Sequence, residues 1–182
     1  SLKLFTKPGL QQSQVRFAHA GIKRSDADYL KLRLAFMILG GSFSSRLNQK
    51  IRDDLGLTYS IHSSVDARKE VGSFEISTFT RNEKLAETII ETKKMLNDFA
   101  NDGVSSTEVE SAKALMAGQF PSAIETMPKL AQNLMLLRFY GISDDYLKNY
   151  NSNLAQITKK EINQAIKIYF HPDKMQIIVY AD

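Results

Sequence analysis

Gly40 to Ser60 read GGSFSSRLNQKIRDDLGLTYS, a stretch that passes from a glycine pair through a helix into a strand. Phe43, Leu47, Ile51 and Leu55 recur at every fourth position, which lays them along one apolar stripe of a helix and leaves Asn48, Gln49 and Arg52 to its side. Gly56 follows the last of them, where a residue free to take a left-handed conformation ends a helix. Thr58-Tyr59-Ser60-Ile61 continues as a strand. Arg52 and Tyr59 face each other across this junction and are placed to converge on one spot. A guanidinium offers several N–H donors in a fixed fork and a phenol offers one O–H, a set suited to an oxygen that gains negative charge. The spacing alone allows a plainer reading too: Arg52 complements the negative end of its own helix, and Tyr59 packs as a half-buried strand aromatic.

Outward from this stretch, Gln14 to Ile22 reads as a strand and Asp28 to Leu39 as a helix, with Tyr29, Leu32, Phe36 and Leu39 on one face and Ser25 as its cap. Thr58 to Asp66 and Val71 to Thr80 form a hairpin in which Phe74, Ile76 and Thr78 alternate with Glu75 and Ser77. A helix from about Glu83 to Ala100 ends at Asn101-Asp102-Gly103. Ser105 with Glu108, Ser122 with Glu125 and Thr158 with Glu161 each have the spacing of a capping box, so helices are expected from Ser106, Ala123 and Lys159, the middle one kinked at Pro128. Ile162, Ala165, Ile166 and Tyr169 give the last helix a buried face, and Met175 to Tyr180 returns as a strand. This order predicts an α+β fold of two layers on the ferredoxin-like split β-α-β plan, an antiparallel sheet with helices on one face. Residues 13–182 form one domain, and residues 1–12 read as a linker or boundary.

The block from Gly40 to Ser60 closely resembles the inverted-zinc-motif peptidases, the family of pitrilysin, insulin-degrading enzyme and the mitochondrial processing peptidase. The resemblance is to their second-type domain, through Gly40-Gly41, Ser45-Arg46-Leu47, Ile51-Arg52 and Gly56-Leu57-Thr58-Tyr59-Ser60. It extends to Gln14-Val15, to the Gly103-Val104-Ser105 break and to the apolar last strand. It implies the family's elaboration of the ferredoxin-like plan, with additional helices supplied by Ser106 to Asn151. It also implies that Arg52 and Tyr59 contact the substrate backbone beside the bond being cut and stabilise the tetrahedral intermediate. The zinc would then lie on a partner domain or separate subunit bearing His-x-x-Glu-His, with a peptide as substrate. A non-catalytic assembly homologue, similar to the core subunits of respiratory complexes, is the alternative.

This chain has no His-x-x-Glu-His segment, the ligand and base set that such hydrolysis needs. Its three histidines, His19, His62 and His171, stand apart in the sequence, so no metal ligand is assigned here and the chain by itself is not expected to cut peptides. With 182 residues and 43% hydrophobic content it is long enough to bury one substantial core. It has no cysteine, which excludes a disulfide framework and thiolate chemistry while suiting a bacterial periplasm or a cytoplasm equally. No segment reads as a membrane span or as a signal-peptide apolar region. The net charge of +4 comes from dispersed cations. Lys93-Lys94 and Lys159-Lys160 lie beside acidic residues on helix faces, so no nucleic-acid partner is inferred.

Overall fold

The computed structural model describes all of residues 1–182. Its strands are β1 (Leu2–Thr6), β2 (Gln12–Ala20), β3 (Thr58–Asp66), β4 (Ser73–Arg81) and β5 (Gln176–Ala181). Its helices are α1 (Tyr29–Phe36), α2 (Leu85–Asp102), α3 (Ser106–Ile124), α4 (Met127–Phe139), α5 (Asp145–Lys148), α6 (Tyr150–Gln156) and α7 (Lys159–Tyr169). Two π-helical segments, Met37–Gly41 and Asn48–Asp54, complete the region between α1 and β3. The sheet order is β1-β5-β2-β4-β3. The last four neighbours in that order are antiparallel to one another, which is the ferredoxin-like arrangement expected from the element order.

One side of the sheet is closed by helices. Val15 and Phe17 of β2, Phe74 and Ile76 of β4, and Ile177 and Val179 of β5 are buried, while Gln14, Arg16 and Ile178 between them are exposed. The buried set joins Leu32 and Phe36 of α1, Leu96 and Phe99 of α2, and Ile162 and Ile166 of α7 in one continuous core. Strand alternation predicts that division, since a strand shows successive side chains to opposite faces.

Two expectations need correction. Residues 1–12 are not simply a linker: Leu2–Thr6 adds a parallel edge strand beside β5. All five of its residues are exposed, so main-chain pairing rather than a buried face holds it, and no hydrophobic alternation announces it. The Ser122–Glu125 capping box does not form, because α3 runs on through Ile124. The next helix begins at Thr126, whose hydroxyl caps Lys129 N–H, and Pro128 occupies its first turn instead of kinking it, the position a proline fits best. The boxes at Ser105 and Thr158 both form.

Glu108 does more than close its own box. Arg46 donates from Nε to Glu108 Oε1 at 2.6 Å and from Nη2 to Oε2 at 2.8 Å, and Nη2 also reaches Gly103 O at 2.8 Å. This two-pronged pair ties the segment before Arg52 to the turn between α2 and α3. The Arg46 hydrogen bonds hold the Glu108 carboxyl at a pKa of about 2, below its ordinary 4.5. The folded protein therefore binds this proton less readily than the unfolded chain does. The stabilisation is complete above pH 4.5 and is lost as pH falls towards about 2. Denaturant unfolding of wild type and Glu108→Gln between those pH values should show wild type losing its advantage over the variant. A constant difference across the range would assign the pair no role in acid stability.

Candidate functional site

The junction is built around Asn48. It was expected beside the helix and is instead buried. Its amide nitrogen lies 3.0 Å from Ser42 O, 3.1 Å from Ser45 Oγ and 3.1 Å from Ile61 O. One side chain thus joins the loop after the glycine pair to the middle of β3. Leu47 and Ile51 are buried as the periodicity predicts, but Phe43 is 82% exposed and Leu55 lies at the surface. The four-residue stripe fails at both ends because residues 42–47 do not continue a regular helix and Asn48–Asp54 is π-helical. A wider turn rotates the side chains away from a 3.6-residue repeat.

Gly40 explains why that path is tight. A Cβ there would stand 2.8 Å from Ser63 N and 2.9 Å from Ser63 Oγ, so the π segment Met37–Gly41 rests directly on β3. The Ser63 hydroxyl returns a hydrogen bond to Phe36 O at 2.8 Å. At the other end of the π segment Gly56 has φ of +59°. Its N–H reaches Arg52 O at 3.1 Å and Leu57 N–H reaches Ile51 O at 3.0 Å. The helix therefore stops where the sequence places its stop.

Tyr59 is set by a bulge. The pairing of β3 with β4 slips between Thr58 and Ile61, leaving Tyr59 and Ser60 opposite Phe79. Beneath the slip the Thr58 and Thr78 hydroxyls meet at 2.8 Å and the Thr80 hydroxyl reaches Leu57 O at 2.6 Å. These buried threonines satisfy the main chain where the ladder is broken, and the bulge turns two consecutive side chains outward. Tyr59 is 89% exposed. The Arg52 side chain is 35% exposed, with Nε 3.7 Å from Asp53 Oδ1 and its guanidinium 5.4 Å from the centre of the Phe43 ring. No hydrogen bond joins Arg52 to Tyr59. Both are open to solvent at the two ends of one junction, and neither is sealed into the core. The periodicity of the sequence missed Asn48, Arg46 and Thr58, although the Ser45-Arg46-Leu47 and Leu57-Thr58 positions of the motif carry them.

The histidines are closer in space than in sequence. His19 Nδ1 lies 2.7 Å from Ala20 O, and His171 N–H donates to His19 Nε2 at 3.2 Å. Both ring nitrogens of His19 are thereby engaged, and burial lowers its pKa. No three histidine, cysteine or carboxylate side chains gather as a metal-holding group, so the residues of this chain do not fit a zinc site. No helix is long and apolar enough to cross a membrane.

Fold and junction together describe a two-layer α+β domain in which no three metal-ligating side chains are gathered. The model of the peptidase M16 inactive domain matches residues 2–116, and the chain belongs to that family. It is 30% identical over 163 residues to an uncharacterized zinc protease, YmxG, of Bacillus subtilis, covering 85% of this chain and 39% of that one. A non-peptidase homolog, YmxG of Helicobacter pylori, is 26% identical over 148 residues, 81% of this chain and 34% of the other. The solved structure of a peptidase M16 inactive domain from Pseudomonas fluorescens superposes with a TM-score of 0.92 at 26% identity, over 99% of this chain and 43% of that one. The chain thus spans well under half the length of these relatives.

The division of labour in the junction is testable by stability alone. Asn48→Ala removes the bonds that its buried amide makes to Ile61 O, Ser42 O and Ser45 Oγ and should cost about 1–3 kcal/mol. Arg52→Ala and Tyr59→Phe remove groups with no buried partner and should stay within about 0.5 kcal/mol of wild type. Chemical denaturation of the three variants checks this, and a large loss at Tyr59→Phe would make that hydroxyl structural.

Proposed function

We propose that this domain is the substrate-contacting half of a zinc metallopeptidase, in which Arg52 and Tyr59 bind the substrate backbone. The observation that supports it most is the separation of roles at the junction. Asn48, Arg46, Gly40 and the buried threonines hold the local fold, while Arg52 and Tyr59 make no internal side-chain hydrogen bond, Arg52 only approaching its neighbour Asp53 at 3.7 Å. A group kept free of internal hydrogen bonds is available to a ligand. A guanidinium fork and a phenol O–H are both donors suited to an oxygen that becomes negative.

The partner in this reading is the zinc-bearing domain or subunit with His-x-x-Glu-His, and the substrate is a peptide. The partner's zinc supplies the hydrolytic chemistry. This chain's contribution is orientation of the backbone and donation to the developing oxyanion. The names of the Bacillus and Helicobacter relatives, one a zinc protease and one a non-peptidase homolog, keep an assembly role as the second reading. The exposed Arg52–Tyr59 pair favours the first, since an assembly surface has no need of that pair of donors.

The deciding measurement is kcat and KM of the protein reconstituted with its zinc-bearing half, beside a melting curve of each variant. Arg52→Ala and Tyr59→Phe should each lower kcat by about 100- to 1,000-fold with folding changed by about 1 kcal/mol or less. Turnover within about twofold of wild type for Tyr59→Phe would leave the assembly role as the function.

A further inference from the structure

On the helical layer, away from the Arg52–Tyr59 junction, a cavity of about 220 Å³ opens between α1, α3, α4 and the α5–α6 pair. Arg24, Arg33, Gln119, Asn133, Tyr146 and Tyr150 supply its polar lining, and no carboxylate borders it. Arg24 comes from the loop after β2 and Arg33 from α1. Both are half-buried, and neither is among the protein's ion pairs. The Arg24 guanidinium lies 3.9 Å from the centre of the Tyr29 ring and 4.9 Å from that of Tyr146. The Arg33 guanidinium lies 5.9 Å from the same Tyr29 ring. Two like charges are thus gathered about one aromatic ring without a counter-ion. The Tyr146 hydroxyl is buried and has no hydrogen-bond partner.

All of these deficits have one sign. The guanidiniums are donors without acceptors, and the Tyr146 hydroxyl is a buried donor without an acceptor, a state that costs free energy until it is filled. Burial raises the Tyr146 pKa, so the phenol remains protonated and able to donate. Asn133 spends its amide nitrogen on Ala123 O and Lys129 O, which holds the side chain in place at the cavity wall. A second cavity of about 300 Å³ shares Arg24 and Tyr146. The one carboxylate there that approaches the loop, Asp26, accepts the Asp28 N–H at 2.8 Å. An oxyanion brings acceptors only and meets every unmet donor at once, and planar guanidinium forks match carboxylate and phosphate oxygens.

We propose that the cavity lined by Arg24, Arg33 and Tyr146 is a binding site for a small oxyanion, a free phosphate- or carboxylate-bearing molecule. Its volume is below the roughly 300–1,000 Å³ of pockets for larger ligands, which confines the ligand to about the size of inorganic phosphate or citrate. The site is independent of the peptidase reading, because none of its residues belongs to the Gly40–Ser60 junction.

Titration calorimetry and thermal melts of the purified protein with inorganic phosphate, citrate and chloride at matched ionic strength test it. Saturable binding of phosphate or citrate, absent for chloride, is expected. Arg33→Gln should weaken it about tenfold or more and Tyr146→Phe measurably less, about 1.4 kcal/mol separating each factor of ten. Arg81→Gln, whose side chain pairs with Glu83 at the surface, should bind as wild type does. Equal, unsaturable responses to all three anions overturn the site, as does Arg33→Gln binding within about twofold of wild type. If Arg33→Gln does not fold, the wild-type titration and Tyr146→Phe decide: no saturable heat, or unchanged binding by Tyr146→Phe, overturns it.

Discussion

The buried amide of Asn48 is the constraint on which the junction depends. Its nitrogen is surrounded by oxygens from the loop after Gly41, from the start of the π segment and from β3. In a buried setting an unpaired carbonyl costs more than an ordinary hydrogen bond returns, so the three segments have little freedom to move apart. The π segment that carries Arg52 is thereby anchored to the same strand whose bulge exposes Tyr59.

Two further devices make the arrangement rigid from either side. Gly40 lets the π segment after α1 approach β3 more closely than any side chain would allow. Arg46 grips Glu108 and Gly103 O across the turn between α2 and α3. The π-helical geometry on both sides of residues 42–47 accommodates these contacts at some expense in regular hydrogen bonding. Such wide turns are found most often where position matters more than helix stability.

Much of this was legible in the sequence, for reasons that differ by element. Strand β4 and the face of β2 obey alternation, and α7 obeys a helical repeat, so their burial follows from pattern alone. Gly56 ends its segment because the left-handed turn there suits only a residue without a side chain. Phe43 and Leu55 had the right spacing but the wrong geometry, since periodicity assumes a 3.6-residue turn that a π segment does not have. Asn48 was misplaced for the same reason and because a polar residue is read as exposed until its partners are known. β1 lay beyond pattern altogether: a strand exposed on all five residues leaves no hydrophobic trace. Of the site, the identities of Arg52 and Tyr59 came from the motif, whereas the bulge that exposes Tyr59 comes from threonine hydroxyls whose meeting no spacing rule predicts.

The exposure of the Arg52–Tyr59 pair carries its own physical consequence. Facing water, a guanidinium and a phenol exchange their hydrogen bonds freely, and an added acceptor gains little over solvent. The same donors become strong only when a second surface excludes water and lowers the local dielectric. At this junction both side chains stay uncovered, Tyr59 at 89% exposure, so water competes for each of their donors. Asn48, Arg46 and Gly40 fix the main chain beneath the two donors, while the side chains themselves, held by no internal hydrogen bond, keep a rotamer freedom that any covering surface would have to remove.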